Sequence, residues 1–326
     1  MLGVRSFSHT YRKRQLAPIK AYLPSYSLGA HNRRYISSVT SGNVGSDSAQ
    51  GSRTSRVAWA TRVMAAGITV ILALRFLEDK AEVESHGLSD SVYTAWEIFN
   101  VEQVSPSASV FTLKAKPGAT VSGFVPLSSV SIKEPNSNIQ RPYTILSLEE
   151  DRIKILVKRY DGGELSRFIH SRKLEAELFL KRVPSEYTLP EKVPSKFVLI
   201  SGGTGVATSY QLLRHFATLP AQDRPEVRVL YASVNEDEVY LQEEFKELKE
   251  SLGGKLHIEY FIDSWGAVID SKDVQNAYRD WESATTLVCG SDGFVEFIAG
   301  RKPEIGQGSI GGLLAANGIG ENVWKL

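Results

Sequence analysis

The strongest constraint on the fold is a change of rhythm at the segment LPEKVPS, residues 189–195. Before it, from about Tyr93, six short segments carry a strand signature: TAWEIFNVEQV, SVFTLKAK, SSVSIKE, RPYTILSL, RIKILVKRY and ELFLKRV, separated by Gly, Pro, Asn and acidic clusters. In the fifth, Ile153, Ile155 and Val157 share one face while Arg152, Lys154 and Lys158 share the other, the two-residue period of a half-buried strand. Strands this short and this evenly spaced predict a small β barrel over residues 93–190.

After the linker, apolar runs alternate with helical periods. FVLIS precedes a helix with Leu212, Leu213 and Phe216 on one side. VRVLYASV precedes LQEEFKELKESL, whose Leu241, Phe245, Leu248 and Leu252 form a stripe ended by Gly253 and Gly254. LHIEYFI, TTLVCG and the final VWKL supply further strands. Such alternation predicts an α/β domain with a parallel, doubly wound sheet over residues 191–326. Two domains also suit a chain of 326 residues, since one core seldom grows past about 250 to 300.

The net charge of +1 conceals an asymmetry. Residues 1–56 hold nine Arg or Lys against Asp47 alone, which leaves −7 on residues 57–326. An acidic body argues against nucleic-acid binding, which rests on neutralising phosphates. The Arg- and Ser-rich, acid-poor N-terminus has the composition of a mitochondrial transit peptide, and equally of a basic tail lying on anionic lipid. Next comes VAWATRVMAAGITVILALRFL, residues 57–77, with Arg62 and Arg75 near its ends. If long arginine stems reach the interface, these 21 residues suffice for a single transmembrane anchor. The basic side would then stay in the matrix, with the body facing the intermembrane space from the mitochondrial inner membrane. The alternative for this segment is a buried or interfacial helix.

Chemistry resides in glycine-rich turns. SGGTGVATS lies where a strand ends and a helix begins, so Gly202, Gly203, Thr204 and Gly205 are expected to bring backbone close to a phosphate at the helix N-terminus. The GxGxxG spelling is incomplete, with Thr208 at its last position. Arg141, Pro142, Tyr143 and Thr144 enter a strand; arginine forks a phosphate, tyrosine packs on planar rings, and a threonine hydroxyl bonds ring nitrogens. About 20 residues later DGGELSRF offers a second phosphate cradle where Gly162 and Gly163 open a helix. One cysteine, Cys289, excludes internal disulfides and multi-cysteine zinc sites. His170, His215 and His257 are scattered, and no HExxH, GxSxG or Walker loop occurs, which removes metal and hydrolytic readings.

In this order, RxYT, GGxxS, GGTG and a late CG resemble the ferredoxin reductase superfamily, most closely its cytochrome b5 reductase branch, over roughly residues 93–326. The resemblance implies FAD on the barrel, held by Arg141, Pro142, Tyr143 and Thr144 and by Gly163, Glu164, Leu165 and Ser166, whose backbone and hydroxyl take the pyrophosphate. It implies NADH or NADPH on Gly202, Gly203, Thr204 and Gly205, with Cys289 and Gly290 beside the nicotinamide. Thr144 and Cys289 would flank the reaction. The chain departs from the family pattern at Ile145, Ala207, Thr208, Ser291 and Asp292, where prolines are usual, and at Arg182–Val183–Pro184, where a glycine-proline stretch is usual.

The activity implied is an FAD-dependent NAD(P)H oxidoreductase that passes electrons to a haem protein. The −7 body suits a basic partner, cytochrome c or its apo-form, and resembles a fungal mitochondrial branch that supports haem attachment to cytochrome c. The alternatives are an NADH-cytochrome b5 reductase, or an assembly factor that binds flavin with little turnover. Ser233 favours a nucleotide 2′-phosphate, while Glu236 and Asp237 oppose it.

Overall fold

A computed structural model describes residues 88–326 except 118–124, 136 and 150. The expected transit segment (1–56) and the expected anchor (57–77) lie outside the described residues. Among those described, no helix is long and apolar enough to cross a membrane.

Six antiparallel strands close a barrel in the order β1-β2-β5-β4-β3-β6. They are β1 (Thr94–Gln103), β2 (Ala108–Ala115), β3 (Ser129–Lys133), β4 (Gln140–Glu149), β5 (Arg152–Lys158) and β6 (Glu177–Val183). All six coincide with the strand segments expected from the sequence; in β5 the alternation is plain, with Ile153 and Ile155 buried on either side of exposed Lys154. Inside, Trp96, Ile98, Phe111, Leu113, Ile132, Ile153 and Ile155 are buried together. Ile145, at a usual proline position, is one of them. Between β5 and β6, helix α1 (Glu164–Ser171) tucks Leu165 and Ile169 into the same core.

The second half is a five-stranded parallel sheet ordered β11-β10-β7-β8-β9. Its strands are β7 (Lys196–Gly202), β8 (Glu226–Ser233), β9 (Leu256–Ile262), β10 (Thr285–Cys289) and β11 (Val323–Lys325). Helices α2 (Val206–Thr218) and α3 (Gln242–Leu252) cover one face, where Leu212, Phe216, Phe245 and Leu248 meet Phe197, Val229 and Leu287. Helices α4 (Ser271–Ala277), α5 (Asp292–Ala299) and α6 (Gly312–Ala316) cover the other, through Val274, Ile298 and Leu314. Helices on both faces are the doubly wound arrangement. The α3 stripe differs in one detail: Leu241 sits before the helix in a left-handed conformation (φ 59°), half-buried.

The two halves share a core. Ala108, Leu127, Leu146 and Leu156 of the barrel half belong to the apolar cluster beneath α2. Gln211, buried on α2, reaches across with Nε2 donating to the carbonyls of Ser128 (2.8 Å) and Ile145 (2.6 Å). A buried amide satisfying two carbonyls of the other half fixes how helix and barrel meet.

Candidate active site

A cleft of about 740 Å³ opens where the barrel meets the C-terminal ends of the parallel strands. It is of the size that accepts a cofactor-sized ligand. Every candidate site residue lines it except Gly202 and Gly203: Arg141, Pro142, Tyr143 and Thr144 from β4, Gly163 to Ser166 at the start of α1, Thr204 and Gly205, then Cys289 at the end of β10 and Gly290 after it. Residues scattered over 150 positions of sequence thus converge because strand ends meet there.

The β4 segment carries charge and ring surface. Arg141 is exposed; its Nη1 donates to the Gln140 carbonyl (2.8 Å), and no ion pair engages it among the described residues. Burial pushes the Tyr143 phenol up to about 12, with Arg141 pulling it part-way back, so the hydroxyl stays protonated and able to donate. At α1, the Ser166 hydroxyl accepts from the Tyr160 amide (3.1 Å) and donates to the Gly163 carbonyl (3.1 Å), so it braces the turn that opens the helix.

The GGTG loop also differs in detail from the expectation. Only Gly203 has positive φ, at 54°; Gly202 and Gly205 have φ −115° and −60°, open to any residue. Space is what requires glycine there. A Cβ on Gly202 would meet the Phe294 ring at 2.7 Å, and one on Gly205 would meet the Cys289 carbonyl oxygen at 2.4 Å. The loop winds a 3-10 turn, Gly203–Gly205, directly against the Cys289–Gly290 backbone before α2 starts. Cys289 is half-buried, and burial raises its thiol, which a hydrogen bond from Thr208 partly offsets. At neutral pH it is a thiol, not a thiolate nucleophile.

Comparison with known proteins agrees with this geometry. Residues 95–183 match the oxidoreductase FAD-binding domain model, and residues 199–300 match the oxidoreductase NAD-binding domain model. Together the two models take in more than half of the chain. The chain belongs to the ferredoxin reductase superfamily. Within it, an NADH-cytochrome b5 reductase 2 of Meyerozyma guilliermondii is 29% identical over 238 residues, covering 68% of this chain and 81% of that one. An uncharacterized FAD-binding protein of Schizosaccharomyces pombe is 29% identical over 270 residues, covering 81% and 96%. The fold is shared with the cytochrome b5 reductase domain of Ulva prolifera nitrate reductase (TM-score 0.61, 18% identity, 73% and 98% coverage). It is shared also with a flavohemoglobin from Malassezia yamatoensis (TM-score 0.59, 20% identity, 78% and 64% coverage).

This member of the superfamily is therefore an FAD-dependent NAD(P)H oxidoreductase, and its cleft fits the flavin by its own chemistry. A cation with free donors, two tyrosines and the N-terminus of α1 suit a dinucleotide's phosphates and rings. Residues that sequence reasoning missed also line the cleft, among them Lys158, Tyr160, Thr208, Lys302 and Leu326. Lys158 ends β5 and Tyr160 follows it just before DGG, a position that signals them in retrospect. Trp324, on the terminal strand β11, packs against the core beneath α2, its ring 5.3 Å from that of Tyr187.

Lys158 is held from the other half of this reductase. Glu238, beyond the end of β8, lies 3.0 Å from Lys158 Nζ and accepts from Ser107 Oγ (2.5 Å) and from the Tyr240 hydroxyl. Burial alone would raise the Glu238 carboxyl, but the bonds from Ser107, Tyr240 and Lys158 together hold it below its ordinary value. A carboxyl depressed by folding stabilises above its unfolded pKa of about 4.3 and loses that contribution as pH falls through the folded value. Glu238→Gln is expected to lower stability at pH 7 by about 1–3 kcal/mol. The gap to wild type should narrow toward pH 4, as thermal melts across that range will show.

Proposed function

We propose that this oxidoreductase takes electrons from NADH and passes them singly to a haem protein, working as a cytochrome b5 reductase-like enzyme. The observation carrying this reading is the convergence, in one cleft, of the RPYT strand, the GGELS turn, the GGTG loop and Cys289–Gly290. FAD, when bound, supplies a carrier that accepts two electrons and releases them one at a time. The chain's own residues do the rest. Arg141 and the α1 N-terminus bind phosphate, Tyr143 packs along the ring system, and Thr144 with Cys289 flanks the point where the two halves meet. Glu236 and Asp237, exposed beyond β8, repel a 2′-phosphate, which favours NADH over NADPH.

The choice of acceptor turns on where the charge lies. Residues 191–326 carry 13 basic and 20 acidic residues, −7, whereas residues 93–190 carry 13 and 11, +2. The acidity that suggested a basic partner thus belongs to the nucleotide half, and the flavin half is mildly basic. An acidic haem protein such as cytochrome b5 suits the latter, in keeping with the names of the relatives. Support of haem attachment to cytochrome c, with a mitochondrial anchor, is the second reading, favoured by the basic N-terminus and residues 57–77.

Rates of NADH-driven reduction of cytochrome b5 and of cytochrome c, each at low and high ionic strength, separate the two. The proposal expects cytochrome b5 to be reduced faster, with the advantage shrinking as salt rises. A salt-sensitive preference for cytochrome c would favour the second reading. Protease protection in mitoplasts tests the body's placement in the intermembrane space.

A further inference from the structure

Thr144, Thr208 and Cys289 come from three separate elements, β4, α2 and the end of β10, yet their polar atoms form one row. Thr208 Oγ1 donates to Cys289 Sγ at 3.2 Å and lies 3.3 Å from Thr144 Oγ1. A threonine hydroxyl has a single proton. With that proton on the sulfur, the Thr208 oxygen accepts from Thr144, which fixes the direction of the Thr144 hydroxyl as well as the position of the thiol. Thr208 is buried, at 6% exposure, and lines the cleft.

The helix itself does not need this hydroxyl. Thr208 is the third residue of α2, in the first turn, where backbone N–H groups have no intrahelical partner and the side chain is under no capping demand. The neighbouring Ser209 shows the other use of a hydroxyl there, bonding Ser201 Oγ (2.7 Å) within its own half. Among the described residues, Thr208 is the side chain that hydrogen-bonds both Thr144 of β4 and Cys289 at the end of β10.

We propose that Thr208 is a positioning residue that pins the flavin-side Thr144 to the nicotinamide-side Cys289 and so sets the register of the two halves at the point of electron transfer. This rests on the reading of the cleft given above. A misplacement of about 1 Å at such a point costs roughly a hundredfold in rate, so one hydrogen bond that prevents part of it has a measurable effect.

The test compares Thr208→Val, which keeps the shape and removes the hydroxyl, with Thr208→Ser, which keeps the hydroxyl, in the flavin-loaded full chain. Anaerobic stopped-flow mixing with NADH gives the limiting rate of flavin bleaching and the dissociation constant of NADH. The limiting rate should fall about tenfold in the valine variant, as for one lost hydrogen bond, with the dissociation constant changed less than about twofold and serine restoring the rate. A readout independent of turnover is the pH profile of iodoacetamide labelling of Cys289, followed by mass spectrometry. It should move to higher pH in the valine variant, since a donor to the sulfur is gone, and return with serine. If valine prevents flavin loading, Thr208→Ala takes its place, because it removes the hydroxyl and the branch at Cβ while keeping a good helix former. Wild-type rate and labelling profile in the variant lacking the hydroxyl would overturn the role of Thr208 alone. A wild-type flavin that neither nicotinamide reduces would overturn the reading of the cleft, and this role with it.

Discussion

Arg141→Ala should yield a folded protein that has lost its flavin. Arg141 is an exposed cation lining the cleft, and among the described residues its side chain is tied by one nitrogen to the Gln140 carbonyl. Charge-assisted bonds of this kind contribute about 1.5–3 kcal/mol each, so FAD affinity is expected to fall by one to two orders of magnitude. Arg141→Lys should recover part of it, because a point charge replaces the charge but not the planar fork. Since the arginine is exposed, the melting temperature of the flavin-free protein should barely move. Flavin content after gel filtration and flavin fluorescence on titration are the measurements. Full occupancy in the alanine variant would remove Arg141 from the site.

The second large effect is at Gly205. Its φ of −60° suits alanine, but the added Cβ would stand 2.4 Å from the Cys289 carbonyl oxygen, a backbone atom with nowhere to move. Gly205→Ala must therefore drive the 3-10 turn and the end of β10 apart, with an overpacking cost of about 1–3 kcal/mol. Displacement of Cys289 and Gly290 should slow flavin reduction by NADH about a hundredfold. Gly203→Ala is the control. Its φ of 54° is strained for alanine, yet no atom lies near the new Cβ, so it should cost about 1–2 kcal/mol of stability and leave the reduction rate close to wild type. Equal kinetic defects in the two variants would refute the packing explanation.

Much of the architecture was legible because it follows from periodicity. The six barrel strands and the strand-helix alternation after residue 195 are carried by which face of each segment is apolar, a property that each segment states locally. The candidate residues of β4 and α1 stood out through local turn chemistry and element ends, whereas Cys289 and Gly290 were singled out by the family resemblance. What could not be read is what depends on contacts across the chain. Glycine at positions 202 and 205 looks like conformational freedom in sequence, but Phe294 and Cys289, more than 80 positions away, are the reason for it. Glu238 meets Ser107 across 131 positions, and Thr208 meets Cys289 across 81. The phosphate role of Ser166 came from the family resemblance, and its bonds to the Tyr160 amide and the Gly163 carbonyl are contacts that the sequence did not announce. The −7 charge was visible as a total, and its meaning changed once the barrel and the sheet were counted separately.

Anaerobic addition of NADH, then NADPH, to the flavin-loaded protein, followed by visible absorbance, tests the central claim most directly. The account predicts a flavin spectrum that bleaches on addition of NADH, and more slowly with NADPH. A flavin that stays oxidised with both would contradict it and leave a protein that binds flavin without turning it over.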